Sequence, residues 1–251
     1  MIDINLQSIG ALTYLLLALS FSSFLGVVMT RLSNQVPLLG RSHCDSCGEN
    51  VPWRFNIPIL GWLFLRGRCN NCHAKIPIEI FLIELLGLVL YSMVWFKFPQ
   101  TSELLLWFTY CSFGLPLLFI DIRHLRLPNA LTYPFFIVIL ILVTYHEKTS
   151  SFSTLPWNSF ALAAANFLFY SLLRLISRGG LGLGDVKLAP TIGLICGSYS
   201  TSLLIYSTYV TFMTAGFVAI VLLVARKAHR KTAIPLGPFM IAAPLLMRFM
   251  P

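Results

Sequence analysis

Charge is scarce in this chain. Of its 251 residues only 11% are charged and nine are acidic, against about 25% charged in an ordinary soluble domain. That scarcity excludes a disordered chain, a coiled coil and a typical soluble enzyme. The alternating stretches of about ten residues that mark a membrane barrel are missing. There is no internal repeat and no low-complexity segment, and no Gly-rich loop of the dinucleotide type announces a nucleotide pocket. The N-terminus lacks a basic region, and no small-residue cleavage pattern follows the first apolar run. That run reads as a permanent helix instead of a removable signal. What the chain has in abundance is apolar sequence: 57% of residues are hydrophobic and the mean hydropathy is +0.79. These values point to an all-α, polytopic membrane protein.

Apolar runs fall at 8–29, 78–97, 102–120, 128–145, 157–177, 186–200, 202–225 and 234–250. They predict about eight transmembrane helices at about 20 residues each. The run at 186–200 is the weakest, being short and carrying Lys187, Pro190 and two glycines. The stretch 186–225 is too long for one span, so it counts as two. The basic residues then sort by side. Fifteen lie in the loops 30–77 and 121–127, the region 174–187 and the loop 226–233, and only Lys97, Lys148 and Arg248 lie opposite. The positive-inside rule makes the rich side cytoplasmic and sets both termini outside. The net charge of +9 is thus a topology signal, and nucleic acid is not an expected partner. The polar stretch 149–153 marks an outside loop. The five tryptophans, Trp62 among them, read as an interfacial aromatic belt. The expected organisation is a first transmembrane helix at 1–29, a cytoplasmic four-cysteine domain at 30–77, and a seven-helix bundle at 78–251.

Four of the six cysteines fall in the 30–77 loop, as Cys44-x-x-Cys47 and Cys69-x-x-Cys72. Each pair offers two thiolates from one tight turn, and two pairs close a tetrahedron around zinc. A cytoplasmic loop keeps such thiols reduced. Four sulfurs leave no open coordination position, so the expected zinc is structural, not catalytic. Two redox-active pairs are the alternative. His43 and His73 flank the cysteines as substitute ligands. Cys111 and Cys196 lie within spans, where a lone cysteine is a small apolar residue.

With nine carboxylates each can be weighed. Asp3 is terminal, Asp45 and Glu49 lie in the cysteine loop, and Glu103 and Glu147 border outside loops. Glu79 and Glu84 open the second span. Asp121 ends an apolar helix, and Asp185 follows Gly180, Gly182 and Gly184 at the start of another. Both fall at the expected cytoplasmic boundary, where an ionisable group is a functional candidate. Two such aspartates can form a general acid/base pair, one taking a proton from water while the other donates to a scissile carbonyl. The alternative is that each caps a helix or pairs with Arg123, His124 or Lys187.

Several blocks resemble those of the type IV prepilin peptidases, which are aspartic membrane proteases. Gly182-x-Gly184-Asp185-x-Lys187-Leu188 resembles the family's GxGD motif, and Asp121 with Pro128 resembles its first aspartate motif. Phe24-Leu25-Gly26, Val28 and Arg31-Leu32 are similar to its N-terminal helix. The four cysteines with Trp53, Asn56-Ile57-Pro58, Gly61-Trp62-Leu63 and Arg68 are similar to its cytoplasmic domain, and Ile234-Pro235-Leu236-Gly237-Pro238-Phe239 to its C-terminal signature. The blocks run in the family's order over nearly the whole chain. Two departures stand out: Gly61 replaces the usual Ser, and Pro77-Ile78-Glu79-Ile80-Phe81 lacks the usual Arg, Tyr and Pro.

The resemblance implies a bifunctional enzyme of the bacterial inner membrane, with its active site facing the cytoplasm. Such enzymes cut the short basic leader of type IV prepilins or pseudopilins, then methylate the new N-terminal residue with S-adenosylmethionine. It implies Asp121 and Asp185 as the catalytic pair and associates the four-cysteine domain, with Cys44, Cys47, Cys69 and Cys72 on structural Zn2+, with methylation. A peptidase without methylation is the first alternative. A non-enzymatic membrane scaffold or transporter with a structural zinc loop is the second, and a nearly charge-free interior disfavours a transport path. A basic leader would be repelled by the basic loops, which directs attention to Glu79 and Glu84 as groups that could meet it.

Overall fold

A computed structural model describes residues 6–98, 100–150, 157–227, 229 and 232–250. Asp3, Arg230, Lys231 and the polar stretch from 151 onward lie outside the described residues. The fold is all-helical. Its helices are α1 (Leu6–Ser33), α2 (Leu60–Phe64), α3 (Ile78–Lys97), α4 (Thr101–His124), α5 (Asn129–Ser150), α6 (Trp157–Ile176), α7 (Leu183–Gly197), α8 (Thr201–Val224) and α9 (Gly237–Phe249). Among the described residues, extended pairing is limited to two isolated bridges, His43 with Asn50 and Arg68 with Lys75.

Six of these helices are long and apolar enough to cross a membrane: Gly10–Ser33, Ile78–Lys97, Thr101–His124, Asn129–Lys148, Trp157–Ile176 and Thr201–Val224. The protein is a multi-pass membrane protein. The other two expected spans also form helices, but α7 has 15 residues and α9 has 13. At 1.5 Å per residue each falls short of about 30 Å of hydrocarbon.

The chain forms two compact units, Met1–Pro99 and Gln100–Pro251. In the first, α1 packs on α3. Small residues permit the approach: a Cβ on Gly87 would lie 2.5 Å from the Ser22 Cβ. Tyr14 and Trp95 meet at 4.6 Å between ring centroids. At the end of α1, Arg31 donates to the backbone carbonyls of Pro37, Leu38, Gly40 and Arg41 at 2.5–3.3 Å. One buried guanidinium thereby folds the chain leaving the helix, satisfying carbonyls that no helix or sheet serves.

In the second unit α7 is the central element. It packs against α5, α6, α8 and α9, and most of its residues are buried. Its contact with α6 is backbone-close. A Cβ on Gly193 would lie 2.6 Å from the Ala163 Cα, and one on Gly197 would lie 2.9 Å from the Ser159 Cα. Gly193 and Gly197 thus face Ser159 and Ala163 as two small-xxx-small stripes, the packing that suits helices in lipid. Asn166 on α6 donates to the Ala189 carbonyl at 2.7 Å across this interface. A short helix buried on all sides needs no lipid-facing length, which accounts for α7 falling short of a span.

Candidate active site and metal centre

Asp121 lies in the last turn of α4. That helix ends at Leu125 in the left-handed conformation, φ 51°, with the Leu125 N–H bonded to the Asp121 carbonyl at 2.9 Å. The turn sends the chain through Leu127 and Pro128 into α5. The Asp121 carboxylate is buried, 5% exposed. Its Oδ2 accepts the Gly237 N–H at 3.0 Å. Gly237 is the first residue of α9, with Pro238 behind it at the first turn. A helix start offers unpaired N–H groups and the positive end of the dipole, so the carboxylate sits where negative charge is favoured. A Cβ at 237 would lie 2.7 Å from the same Oδ2, so any larger residue there would push the carboxylate aside.

Asp185 lies in the first turn of α7 and is 7% exposed. Its carboxylate folds back toward the Gly182 backbone. The two glycines before it serve different contacts. A Cβ on Gly182 would strike the Asp185 Oδ2 at 2.8 Å, and one on Gly184 would strike the Leu127 Cβ at 2.9 Å. Leu127 also borders Gly237, whose Cβ would meet its Cδ2 at 3.4 Å. The starts of α7 and α9 and the end of α4 therefore converge on Leu127, which brings Asp121 and Asp185 near enough for the charge of one to raise the cost of ionising the other. Among the described residues no cation pairs with either carboxylate. Lys187 instead bonds the Asn129 Oδ1 at 2.9 Å and lies 5.6 Å from the Tyr133 ring centroid. Two buried, unpaired and mutually interacting carboxylates are equipped to hold one proton between them and to move it.

The four cysteines of the first unit come together as the spacing predicts. Their sulfurs all lie within 4.8 Å of one another and can hold a metal ion. The Cys44 and Cys72 sulfurs are 3.8 Å apart, and a tetrahedron with metal–sulfur bonds of about 2.3 Å has edges of about 3.8 Å. The two turns are copies of one motif. Cys44 N–H bonds the Glu49 carbonyl and Gly48 N–H bonds the Cys44 carbonyl; Cys69 N–H bonds the Ala74 carbonyl and His73 N–H bonds the Cys69 carbonyl. His73, at φ 56°, takes the left-handed place that Gly48 takes in the first copy at φ 72°. His43 and His73 stay outside the sulfur cluster: His43 Nδ1 lies 3.1 Å from the Arg41 carbonyl and His73 is exposed. The N–H groups of Cys47 and Ser46 pull the Cys44 thiol down to about 6. At Cys72 the Ala74 N–H acts in the same direction, but burial and the other three thiols outweigh it and push that group up to about 11. Sulfurs this crowded cannot all ionise together unaided, and a cation at their centre relieves that. Cys111 and Cys196 are buried in the second unit, apart from this cluster.

Glu84 is buried in α3, with Oε1 accepting from the Ser23 Oγ at 2.7 Å and Oε2 from the Ile59 N–H at 2.6 Å. Glu79 lies in the first turn of the same helix. Sequence reasoning gave no role to Gly237 or Leu127. A Gly-Pro pair opening an apolar helix is a helix-start signal, but nothing local says which carboxylate that start would meet.

A helical membrane protein with paired buried carboxylates in one unit and a four-thiol centre in the other is the class that fold and site define. The comparisons agree with it in both halves. Residues 16–98 match the bacterial peptidase A24 N-terminal domain, and residues 105–224 match the type IV leader peptidase family. A prepilin leader peptidase/N-methyltransferase of Vibrio cholerae serotype O1 is 28% identical over 258 residues, covering 97% of this chain and 98% of that protein. Its namesake in Stutzerimonas stutzeri is 31% identical over 208 residues, covering 82% of this chain and 70% of that protein. Another in Bacillus subtilis is 28% identical over 207 residues, covering 82% and 80%. No solved structure matches. The chain belongs to the type IV leader peptidase family and is a peptidase.

Proposed function

We propose that this protein is an aspartic endopeptidase of the bacterial inner membrane. It cuts the short basic leader from type IV prepilins or pseudopilins at the cytoplasmic face, with Asp121 and Asp185 as its catalytic pair. The observation that carries this is the meeting of two buried carboxylates with no cation paired to either. One aspartate, ionised, takes a proton from water as the water attacks the scissile carbonyl. The other, protonated, gives its proton to the carbonyl oxygen. Collapse returns a proton to the leaving amine and frees the leader's carboxylate, which restores the pair to its starting charge. The Gly237 N–H holds the Asp121 carboxylate, and Asp185 lies against the Gly182 backbone, so no side chain is needed to orient either. The basic loops argue for a cytoplasmic active site. A cut just outside the pilin's apolar helix avoids breaking helix hydrogen bonds in lipid.

The relatives' names carry a second activity, N-methylation, which we extend to this chain with S-adenosylmethionine as donor. The terminal amine of the cut pilin, deprotonated, forms the new N–C bond. The methyl carbon's bond to sulfur breaks with its electron pair staying on sulfur, and the amine's proton goes to water. We assign Cys44, Cys47, Cys69 and Cys72 to a structural Zn2+, which the four-sulfur donor set fits.

A prepilin with a Gly-Phe junction, incubated with the protein in detergent or membranes, tests both parts. Wild type is expected to release the leader and to transfer label from methyl-labelled donor to the product. Asp121→Asn and Asp185→Asn are each expected to lower cleavage by about 10²- to 10⁴-fold, the usual worth of a general acid or base. Retained cleavage in either variant removes that aspartate from the mechanism. Intact cleavage in both would favour a scaffold or transporter role for the pair.

A further inference from the structure

Within the first unit, the chain between α1 and α3 turns back into the depth of the spans. Ile59, just before α2, gives its N–H to Glu84 Oε2 at 2.6 Å, and Glu84 Oε1 accepts from Ser23 Oγ at 2.7 Å. Glu84 stands six residues inside α3, and Ser23 stands ten residues before the end of α1. At 1.5 Å per residue these positions lie about 9 Å and about 15 Å along the helices from those ends. Both helices are long and apolar enough to cross a membrane. Trp62 follows the same course, its ring 5.0 Å from that of Phe81 in the first turn of α3. The start of α2 is therefore level with membrane-spanning turns, not above them.

Glu84 shows how irregular backbone can enter that depth. A backbone N–H in hydrocarbon is costly unless the protein itself supplies an acceptor. Among the described residues no cation pairs with the buried Glu84, and its oxygens serve neutral donors, one of them this N–H. The outer side of the segment is apolar. Trp53 is 82% exposed and Phe64 69%, and Ile57, Leu60 and Leu63 are exposed as well. The helical turn Trp53–Phe55 packs on α2, so these side chains belong to one local surface. Trp62 is not part of it, since its Nε1 is buried and has no acceptor. Arg54 and Arg66 are exposed at the two ends of the stretch, and no Asp or Glu occurs between Glu49 and Glu79. Apolar side chains with a tryptophan, flanking arginines and no acid are what a segment lying in a bilayer interface carries.

We propose that residues 53–64 are seated in the lipid beside α1 and α3. Ile57, Leu60, Leu63 and Phe64 lie among acyl chains, Trp53 lies at the headgroup boundary, and Arg54 and Arg66 meet anionic headgroups. The partner is the bilayer itself, and the surface is continuous with that of the two spans. The 30–77 loop, expected from sequence to stand in the cytoplasm, thus carries a membrane contact of its own. Glu84 is the acceptor that makes it possible.

The test uses the full chain in nanodiscs of mixed zwitterionic and anionic phospholipid, with a trace of phospholipid bearing a diazirine in its acyl chain. After irradiation and peptide mapping, label is expected in residues 57–64 as well as in α1 and α3, and not in 42–50 or 69–75. Glu84→Leu removes the acceptor and should lower label in 57–64 at least threefold relative to α3. Glu84→Gln still accepts from Ile59 and can donate to Ser23, so it should keep the label. Phe64→Asp sets a charge among acyl chains, and its thermal midpoint in nanodiscs should fall by about 3 °C or more. A water-facing position would leave that midpoint unchanged. Tryptic cleavage after Arg54 and Arg66, relative to Lys75, should be at least threefold slower in anionic than in zwitterionic nanodiscs, and an unchanged ratio overturns the headgroup contact. A monodisperse gel-filtration profile reports folding; where Glu84→Leu fails to fold, the wild-type map and Phe64→Asp decide. Label absent from 57–64 while α1 and α3 are labelled overturns the lipid seat. Crosslinks from 57–64 to a second copy or to an added prepilin in place of lipid overturn it too and name the occupant.

Discussion

Glycine does much of the work at the residue scale. Gly237 presents its N–H to Asp121 at 3.0 Å, and a Cβ at that position would lie 2.7 Å from the carboxylate oxygen. Gly237→Ala should therefore displace the Asp121 carboxylate or tilt the start of α9. Leader cleavage should fall at least tenfold while circular dichroism and detergent-solubilised yield stay at wild-type levels; unchanged cleavage would show that this contact is incidental. Gly61 is the matching case in the first unit. A Cβ there would lie 2.1 Å from the Phe55 carbonyl oxygen. The preceding Ile59 is held at φ 64°, a conformation costly for a β-branched residue, with its N–H tied to Glu84. The turn from 55 to 61 is tighter than a side chain at 61 allows.

At the scale of elements, two assemblies stand out. The first is the close crossing of α6 and α7, built on Ser159 and Ala163 against Gly193 and Gly197. Gly193→Ala inserts a methyl 2.6 Å from the Ala163 Cα, an overpacking worth about 1–3 kcal/mol. Thermal unfolding in detergent should shift downward accordingly, and because α7 carries Asp185, cleavage should fall with it. The same substitution at Gly216, which has open space around it, should leave both unaffected. The second assembly is the pair of cysteine turns. Each contributes two sulfurs, so Cys47→Ser should lower bound zinc from about one equivalent, as read by elemental analysis of purified protein. Full retention of zinc would mean that three sulfurs and another ligand suffice.

At the scale of the whole molecule, the chain divides into Met1–Pro99 and Gln100–Pro251, and the two family matches fall one in each half. The four-thiol centre and the paired aspartates never share a unit. Loss of metal from the first unit, by Cys47→Ser together with Cys72→Ser, should abolish methyl transfer and spare cleavage by more than half. Parallel loss of both would mean that the units depend on one another for folding. Membrane sidedness is a further whole-molecule property. After chelation of the metal, a membrane-impermeant thiol reagent should label Cys47 and Cys72, both exposed, in inverted membranes and not in intact cells. Labelling in intact cells would reverse the orientation.

Composition alone settled that this is a helical membrane protein, because 57% hydrophobic residues in long runs admit few other folds with satisfied backbone groups. The cysteine centre was equally legible, since two Cys-x-x-Cys turns carry their geometry locally, down to the left-handed residue that closes each one. The aspartates could be nominated from their place at helix ends, but their meeting could not. It depends on α4, α7 and α9 converging, and on Gly237 arriving from 116 positions along the chain. Whether α7 and α9 cross the membrane was not legible in their hydropathy for a related reason. Hydropathy measures how apolar a segment is, and a helix buried against four others is as apolar as one that faces lipid. The unpaired Glu84 and the unpartnered indole of Trp62 were likewise invisible, because a missing partner exists only once the chain has folded and every neighbour is in place. What the residues themselves encode is chemistry and local turn; which of those groups stand together, and which stand alone, is decided by packing between segments remote in the chain.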